Sequence, residues 1–192
     1  ETFGTSGPYI EPRFFAGWDF PKDICKSDSL LKTSYAGGVP MGSIIKNINN
    51  KTSSPIFIAS AIRDPNEAST PLHKLQIVKG WTDEDGMARQ RIFDVAGGDL
   101  KATVNTSDCT QVGTGYNQLC TTWTDPDFNP DISGVYYLRV LENPTCRWSQ
   151  FDCIAMDLKD RPKTCNDPNI PSVIQERAWT SPIWYYSEAG IK

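Results

Sequence analysis

The chain has 192 residues and a formal net charge of −4. That length supports one large domain, or a domain with an appendage, around a sizeable core. The charge is spread along the sequence without a Lys/Arg block, which excludes a nucleic-acid footprint. No apolar run reaches the length of a membrane span.

Short aromatic and β-branched runs, separated by Pro, Gly, Asn and Asp, predict short strands and many loops. The opening "ETFGTSGPYIEPRFF" lacks the charged and apolar regions of a signal peptide, and it reads as the interior of a longer protein. Its first strand is expected over Tyr9–Phe15. Ser27 is placed to cap a short helix through "SDSLLKTS", which "YAGG" would end. "NINNKTSSP" reads as a surface loop. Ile56–Ile62, within the nearly all-apolar "PIFIASAI", suits a strand covered on both faces. Lys74–Lys79 alternates Leu75, Ile77 and Lys79 against Gln76 and Val78, with one edge facing water. Arg89–Val95 and Val135–Leu141 follow; the latter sets Tyr136, Leu138 and Val140 against Val135, Tyr137, Arg139 and Leu141. Ser149 is placed to cap "QFDCIAM", and Pro171 stands as a first-turn proline before "SVIQERAW". Ile183–Tyr186 is the last expected strand. The fold class is therefore mainly β: a two-sheet, sandwich-like domain with long loops and two or three short helices.

Six cysteines, Cys25, Cys109, Cys120, Cys146, Cys153 and Cys165, occur with a single histidine and no C-x-x-C pair. A Cys/His zinc site is poorly supplied. Disulfides in an oxidising compartment are the reading, against buried free thiols. The local pair is Cys109 with Cys120 across "CTQVGTGYNQLC", a closure worth about 3 kcal/mol in the chain-entropy model. The partners of the other four are left open.

His73 would have to serve any Ser-His-Asp triad. It follows "STPL" just before a strand, and no nucleophile-elbow motif occurs, so it reads as a loop or strand-edge histidine and no catalytic residue is assigned. In "WTDPDFNPDISG", Asp125, Asp127, Asn129 and Asp131 fall at alternate positions, as oxygen ligands of a calcium loop do. Pro130 stands where an EF-hand needs glycine and Tyr136 where it needs glutamate. The competing reading is a turn ladder in which these side chains accept from nearby amides. Arg147 beside Trp148, and Arg177 near Trp179 and Trp184, are candidate ligand contacts for a glycan or another protein; the alternative is packing under a snorkelling Arg stem. Asn50-Lys51-Thr52 and Asn105-Thr106-Ser107 match the N-glycosylation pattern. Carboxylates are plentiful enough for glycosidic pair chemistry, which turns on their separation.

Eight segments together carry a resemblance: "ETFGTSGP", "FFAGWDF", "GVPMG", "RDPNEASTPLHKLQIVKGW", "FDVAG", "WTDPDFNP", "YYLRVLENPTCRW" and "QERAWTSPIWY". From Glu1 to about Tyr186 the chain resembles the C-terminal part of a bacterial family known only as domain of unknown function 3604. The resemblance implies a preceding metal-dependent hydrolase barrel of the polymerase-and-histidinol-phosphatase (PHP) type, with a His-x-His motif. Thr2, Phe3, Thr5, Gly7 and Pro8 match the element where such barrels end and a sandwich begins. Thr180, Ser181, Pro182, Ile183 and Trp184 match the closing strand.

On this resemblance residues 1–192 form a single C-terminal domain: 1–15 the end of a barrel or a linker strand, 16–186 the sandwich, 187–192 a tail. No metal ligand of the family falls on a numbered residue here, so a divalent metal belongs to the preceding part, which is also the implied partner. The implied role is non-catalytic support for a hydrolase of phosphate or other esters, with loops such as "GGVPMG" or "NPTCRW" shaping the pocket. The alternative is a secreted, disulfide-stabilised binding module. Either reading places the protein in the periplasm or outside the cell.

Overall fold

The computed structural model describes residues 1–47, 53–66 and 69–187. The chain runs through β1 (Phe3–Thr5), β2 (Glu11–Gly17), α1 (Leu30–Gly37), β3 (Gly38–Pro40), β4 (Ile44–Lys46), β5 (Ile56–Ile62), β6 (Leu72–Thr82) and β7 (Ala88–Gly97). There follow β8 (Thr103–Val104), β9 (Gln111–Val112), β10 (Gln118–Thr124), β11 (Gly134–Glu142), β12 (Thr145–Cys146) and α2 (Trp148–Ala155). The closing strands are β13 (Val173–Ile174), β14 (Arg177–Thr180) and β15 (Ile183–Tyr186).

Two sheets make a sandwich. In the seven-stranded sheet β11 is the hub. It pairs along its length with β6, and on its other edge with β14 near its end and β15 near its start. Ser181 and Pro182 separate those two short strands, as expected of a residue that cannot donate to the ladder. β7 lies beyond β6, β1 beyond β14, and β4 joins β15 in parallel. The second sheet is antiparallel, ordered β10-β5-β2-β3.

The core lies between the sheets, built by alternation along each strand. Phe14, Phe57, Ala59 and Ala61 of one sheet meet Leu75, Ile77, Tyr136, Leu138 and Val140 of the other. Phe57 stacks with Phe14 at 5.6 Å between centroids and meets Tyr136 at 4.5 Å. A second cluster of Phe15, Phe20, Ile24 and Ile58 fills the opposite face of the second sheet. The nearly all-apolar β5 is thus covered on both faces. Close packing around Phe20 leaves no room for side chains at two glycines: a Cβ on Gly17 would meet the Phe20 ring at 2.7 Å, and one on Gly38 the carbonyl of Ala16 at 2.4 Å.

Four expectations are revised. "SVIQERAW" is not a helix behind Pro171 but β13 and the start of β14, because Val173 and Ile174 pair with β12 and Ala178 enters the core. Lys74–Lys79, expected to keep one edge facing water, is buried on both sides from Leu75 to Lys79, and Gln76 donates to Asp94 and accepts from Arg139. The 15/16 boundary cuts through β2, an unbroken strand of the second sheet. Cys109 does not pair with Cys120. The disulfides are Cys25–Cys120, Cys109–Cys146 and Cys153–Cys165. The glycines of "CTQVGTGYNQLC" do turn the chain, but β9 folds back on β8, while Cys120 belongs to β10 in the second sheet. The Asn50 glycosylation match, much of "NINNKTSSP" and nearly all of the 187–192 tail lie outside the described residues.

Candidate functional site

At the end of the sandwich where β11 finishes lies a cleft of about 540 Å³. Four of the sequence segments that carry the resemblance supply its walls: Ser6–Pro8 before β2, Asp64, Asn66, Ser69 and Thr70 after β5, Glu142 at the end of β11 with Thr145, Cys146 and Trp148 beyond it, and Glu176 before β14.

Glu142 is the central residue. Its parity along β11 matches Tyr136, Leu138 and Val140, so it stands at the end of the buried stripe. A register shift falls between Leu141 and Glu142, the kind of irregularity that re-aims a side chain. The Glu142 amide donates to the Glu176 carbonyl at 2.9 Å, and its own carbonyl accepts from Gln175 at 3.0 Å. The backbone is therefore fixed while the carboxyl faces the cleft. Glu142 is 2% exposed, and its Oε1 has no hydrogen-bond partner among the described residues. Burial pushes its pKa up to about 7, helped by the charges of Glu176 and Asp64 and opposed by Arg63.

The surroundings are held independently. Ser6 donates to the Glu176 carboxylate, and its Oγ accepts from the Arg177 amide at 2.9 Å. Asp64 accepts from the Asn66 amide at 2.8 Å, an Asx turn that shapes the loop. Arg63 donates to the Ser69 carbonyl at 2.9 Å. Asn143 is anchored through Pro71 and Thr114, and its Oδ1 is a second buried atom without a partner. Gly115 lies so close that a Cβ there would meet the Asn143 amide nitrogen at 2.6 Å. Nearby on β6, the Nδ1 of His73 is also buried without a partner; burial and Lys74 lower its pKa. The Cys109–Cys146 disulfide and the β12–β13 pair hold the wall from which α2 projects. On α2, Trp148 is 82% exposed and Phe151 46%, their rings 6.3 Å apart.

The sequence-predicted contacts divide between two places. Arg147 and Trp148 are both exposed, and Trp148 lies at the cleft's rim. Trp179 and Trp184 sit on the outer face of the seven-stranded sheet, Trp179 opposite Arg139 and Trp184 between Val135 and Ile44. Arg177 is committed to the Gln175 carbonyl through Nε and Nη2. "NPTCRW" helps line the cleft, and "GGVPMG" does not.

The Asp125–Asp131 stretch has the geometry of the turn ladder: Asp125 accepts from the Asp127 amide and Asn129 from the Asp131 amide, each at 2.9 Å. At the place a calcium ion would take beside Asp125, the Lys79 ammonium contacts Asp125 at 2.5 Å and the Asp127 carbonyl at 2.9 Å. Tyr136 donates to Asp125 at 2.7 Å, and Arg91 pairs with Asp127. Among the described residues, no three His, Cys, Asp or Glu side chains are grouped to hold a metal ion. Sequence reasoning missed Glu142, Glu176 and Asp64. The available signal was parity: a glutamate placed last in an otherwise apolar inward stripe.

No curated protein and no solved structure matches the chain. A family model described as "Protein of unknown function (DUF3604)" matches residues 1–187. With nearly the whole chain matched, the protein belongs to that family.

Proposed function

We propose that this chain is the β-rich supporting domain of a PHP-type, metal-dependent hydrolase and does not itself carry the catalytic metal ligands. The observation that carries the reading is the pairing of β1 with β14. β1 carries Phe3 and Thr5 of the segment that resembles the end of the barrel, and β14 ends on Thr180, where the segment resembling the closing strand of related hydrolases begins. Phe3 lies opposite Thr180, the Ser181 amide donates to the Thr2 carbonyl at 2.8 Å, and the Thr2 and Ser181 hydroxyls are 2.7 Å apart. β1 is an edge strand with all three residues exposed. Such an edge offers unpaired backbone groups to a neighbour, and a barrel ending in this segment would cover it. Ser6–Pro8 continue from that edge into the cleft wall, so the barrel and the acidic cleft would adjoin. Three disulfides fit a periplasmic or extracellular setting.

The test is the intact mass of the native protein, with metal analysis and turnover of bis-p-nitrophenyl phosphate. Upstream sequence containing His-x-His, bound divalent metal and hydrolysis are the expected results, with none of the turnover supplied by residues 1–192 alone. A native mass equal to this chain, without metal or turnover, overturns the reading. It would favour a secreted binding module, for which the exposed Trp148 is the specific indication.

A further inference from the structure

We propose that the cleft at the end of β11 is a binding site for an organic cation, an ammonium or guanidinium group seated on Glu142 and Glu176 with its carbon stem against Trp148 and Phe151. This goes beyond the supporting-domain reading and stands or falls independently of it.

The first argument is an unmet demand. A buried polar atom without a partner is costly, and native proteins leave few of them. Glu142 is 2% exposed, is held by backbone hydrogen bonds on both sides, and lines the cleft with Oε1 unpartnered. The second is charge. Glu176 and Asp64 act on the same carboxyl, and Arg63 opposes them while donating to the Ser69 carbonyl. Like charges within a low-dielectric cleft focus an attractive field on a cation. The third is the rim. Trp148 and Phe151 present exposed aromatic surface beside these carboxylates. Ring faces attract cations, and their apolar surface covers a methylene stem.

Other ligand classes fit less well. An anion meets three carboxylates. A neutral sugar can stack on Trp148 but brings only hydroxyl dipoles to a buried carboxyl. A divalent ion lacks a grouped set of ligands among the described residues. The cleft's volume lies within the range of small-molecule sites.

The cation also sets a pH dependence. Facing Glu142 are Glu176 and Asp64, which favour its protonated form, and Arg63, which favours the ionised form. A bound cation favours ionisation, so affinity rises as pH rises through 7, and binding near neutrality releases a proton.

Calorimetric titration of the full chain tests this with acetyl-Gly-Arg-Gly-amide, its neutral citrulline counterpart, putrescine, cellohexaose and magnesium chloride. The arginine peptide is expected to bind at least about tenfold more tightly than the citrulline peptide. Putrescine separates a free amine from a protein side chain as the source of the cation: binding tighter than the arginine peptide supports the amine, and weaker binding supports a peptide segment. Glu142→Gln should weaken cation binding about tenfold and abolish the rise between pH 6 and 8, a window centred on the raised Glu142 pKa of about 7. Trp148→Ala, at a residue too exposed to threaten folding, should weaken it about fivefold. Equal binding of the arginine and citrulline peptides overturns the proposal. So does unchanged affinity in Glu142→Gln, binding of cellohexaose or magnesium in preference to both cations, or no cation binding at millimolar concentration.

Discussion

β11 begins and ends at buried carboxylates, and the two are treated differently. Near its start Asp125, with its side chain fully buried, is met by the Lys79 ammonium, the Tyr136 hydroxyl and the Asp127 amide. The Lys79 ammonium in turn lies 5.2 Å from the centre of the Trp81 ring and 5.8 Å from that of Tyr136. Burial and Asp125 together raise the Tyr136 pKa, so the hydroxyl stays a donor. At the far end of this strand, six residues and roughly 20 Å beyond Tyr136, Glu142 is as deeply buried, with Oε1 unmet among the described residues. The Asp125 end is a completed structural device. The Glu142 end has an opening, and the aromatic side chains that elsewhere fill the core are exposed at its rim. A buried charge is tolerable when its lone pairs are taken, and an untaken one marks where a ligand or partner belongs.

The comparison is broken most forcefully by making the first end resemble the second. Lys79→Met leaves Asp125 buried without its counter-charge, and the expected loss is roughly 3–5 kcal/mol of unfolding free energy in urea titration. Adding Asp125→Asn removes the stranded charge and should recover about half of that loss. A loss below about 1 kcal/mol for Lys79→Met would show that the ion pair is not what completes this end.

The next effect separates how the two ends are fastened. The Glu142 end is closed by the Cys109–Cys146 disulfide, across a separation of 37 residues. Replacing both cysteines with serine should cost about 3–4 kcal/mol in the chain-entropy model. Amide exchange should quicken in β8, β9 and β12, while the Tyr136–Asp125 region stays protected. Uniform acceleration across both ends would mean that the disulfide constrains the whole domain rather than the cleft.

Much of this architecture was legible in sequence. Ile56–Ile62 and Ile183–Tyr186 coincide with the observed strands, the strand expected over Tyr9–Phe15 is shifted two residues on to Glu11–Gly17, and β6, β7 and β11 are longer than expected by a few residues at their ends. Strands whose own residues are weak strand formers were not. Gln118–Thr124 was hidden by polar and threonine-rich composition, and its place is fixed by β5 across seven paired residues. Arg177–Thr180 was hidden behind a proline that resembled a helix start. The tryptophans of the candidate contacts were legible as possible contacts but not sorted between the cleft and the outer sheet face, because that requires knowing which strand lies beside which. The acidic cleft was the least legible, since Asp64, Glu142 and Glu176 are far apart in sequence and converge only through the β11 pairings.

A smaller effect probes the Glu142 end alone. Its folded pKa, about 7, lies above the usual 4.5, so the folded state binds more protons than the unfolded chain between these values. The contribution is fully present below pH 4.5 and is lost as pH rises to 7, by up to about 3 kcal/mol. His73 acts in the opposite direction: burial lowers its pKa from 6.5, so its contribution increases as pH rises to that value. The informative quantity is therefore wild type minus Glu142→Gln, in which the His73 contribution cancels. That difference should fall between pH 4.5 and 7 in urea titrations. A flat difference would place the carboxyl in contact with water.

The smallest expected effect is none at all, and it returns to the Asp125 end. The Lys79 ammonium already receives oxygen from Asp125 and from the Asp127 carbonyl, and Asp127 is drawn outward to Arg91. A calcium ion would have to displace a buried ammonium whose own desolvation is offset only by these partners. Asn129 and Asp131 are joined to each other in a separate turn and bring no oxygen to Lys79. The thermal midpoint should therefore be unchanged by EGTA or by added calcium. In Lys79→Met the obstacle is gone, and calcium should then raise the midpoint if the remaining oxygens can converge. A calcium-dependent shift in the unmodified protein would mean that the ammonium yields its place, and that this end too is a ligand site.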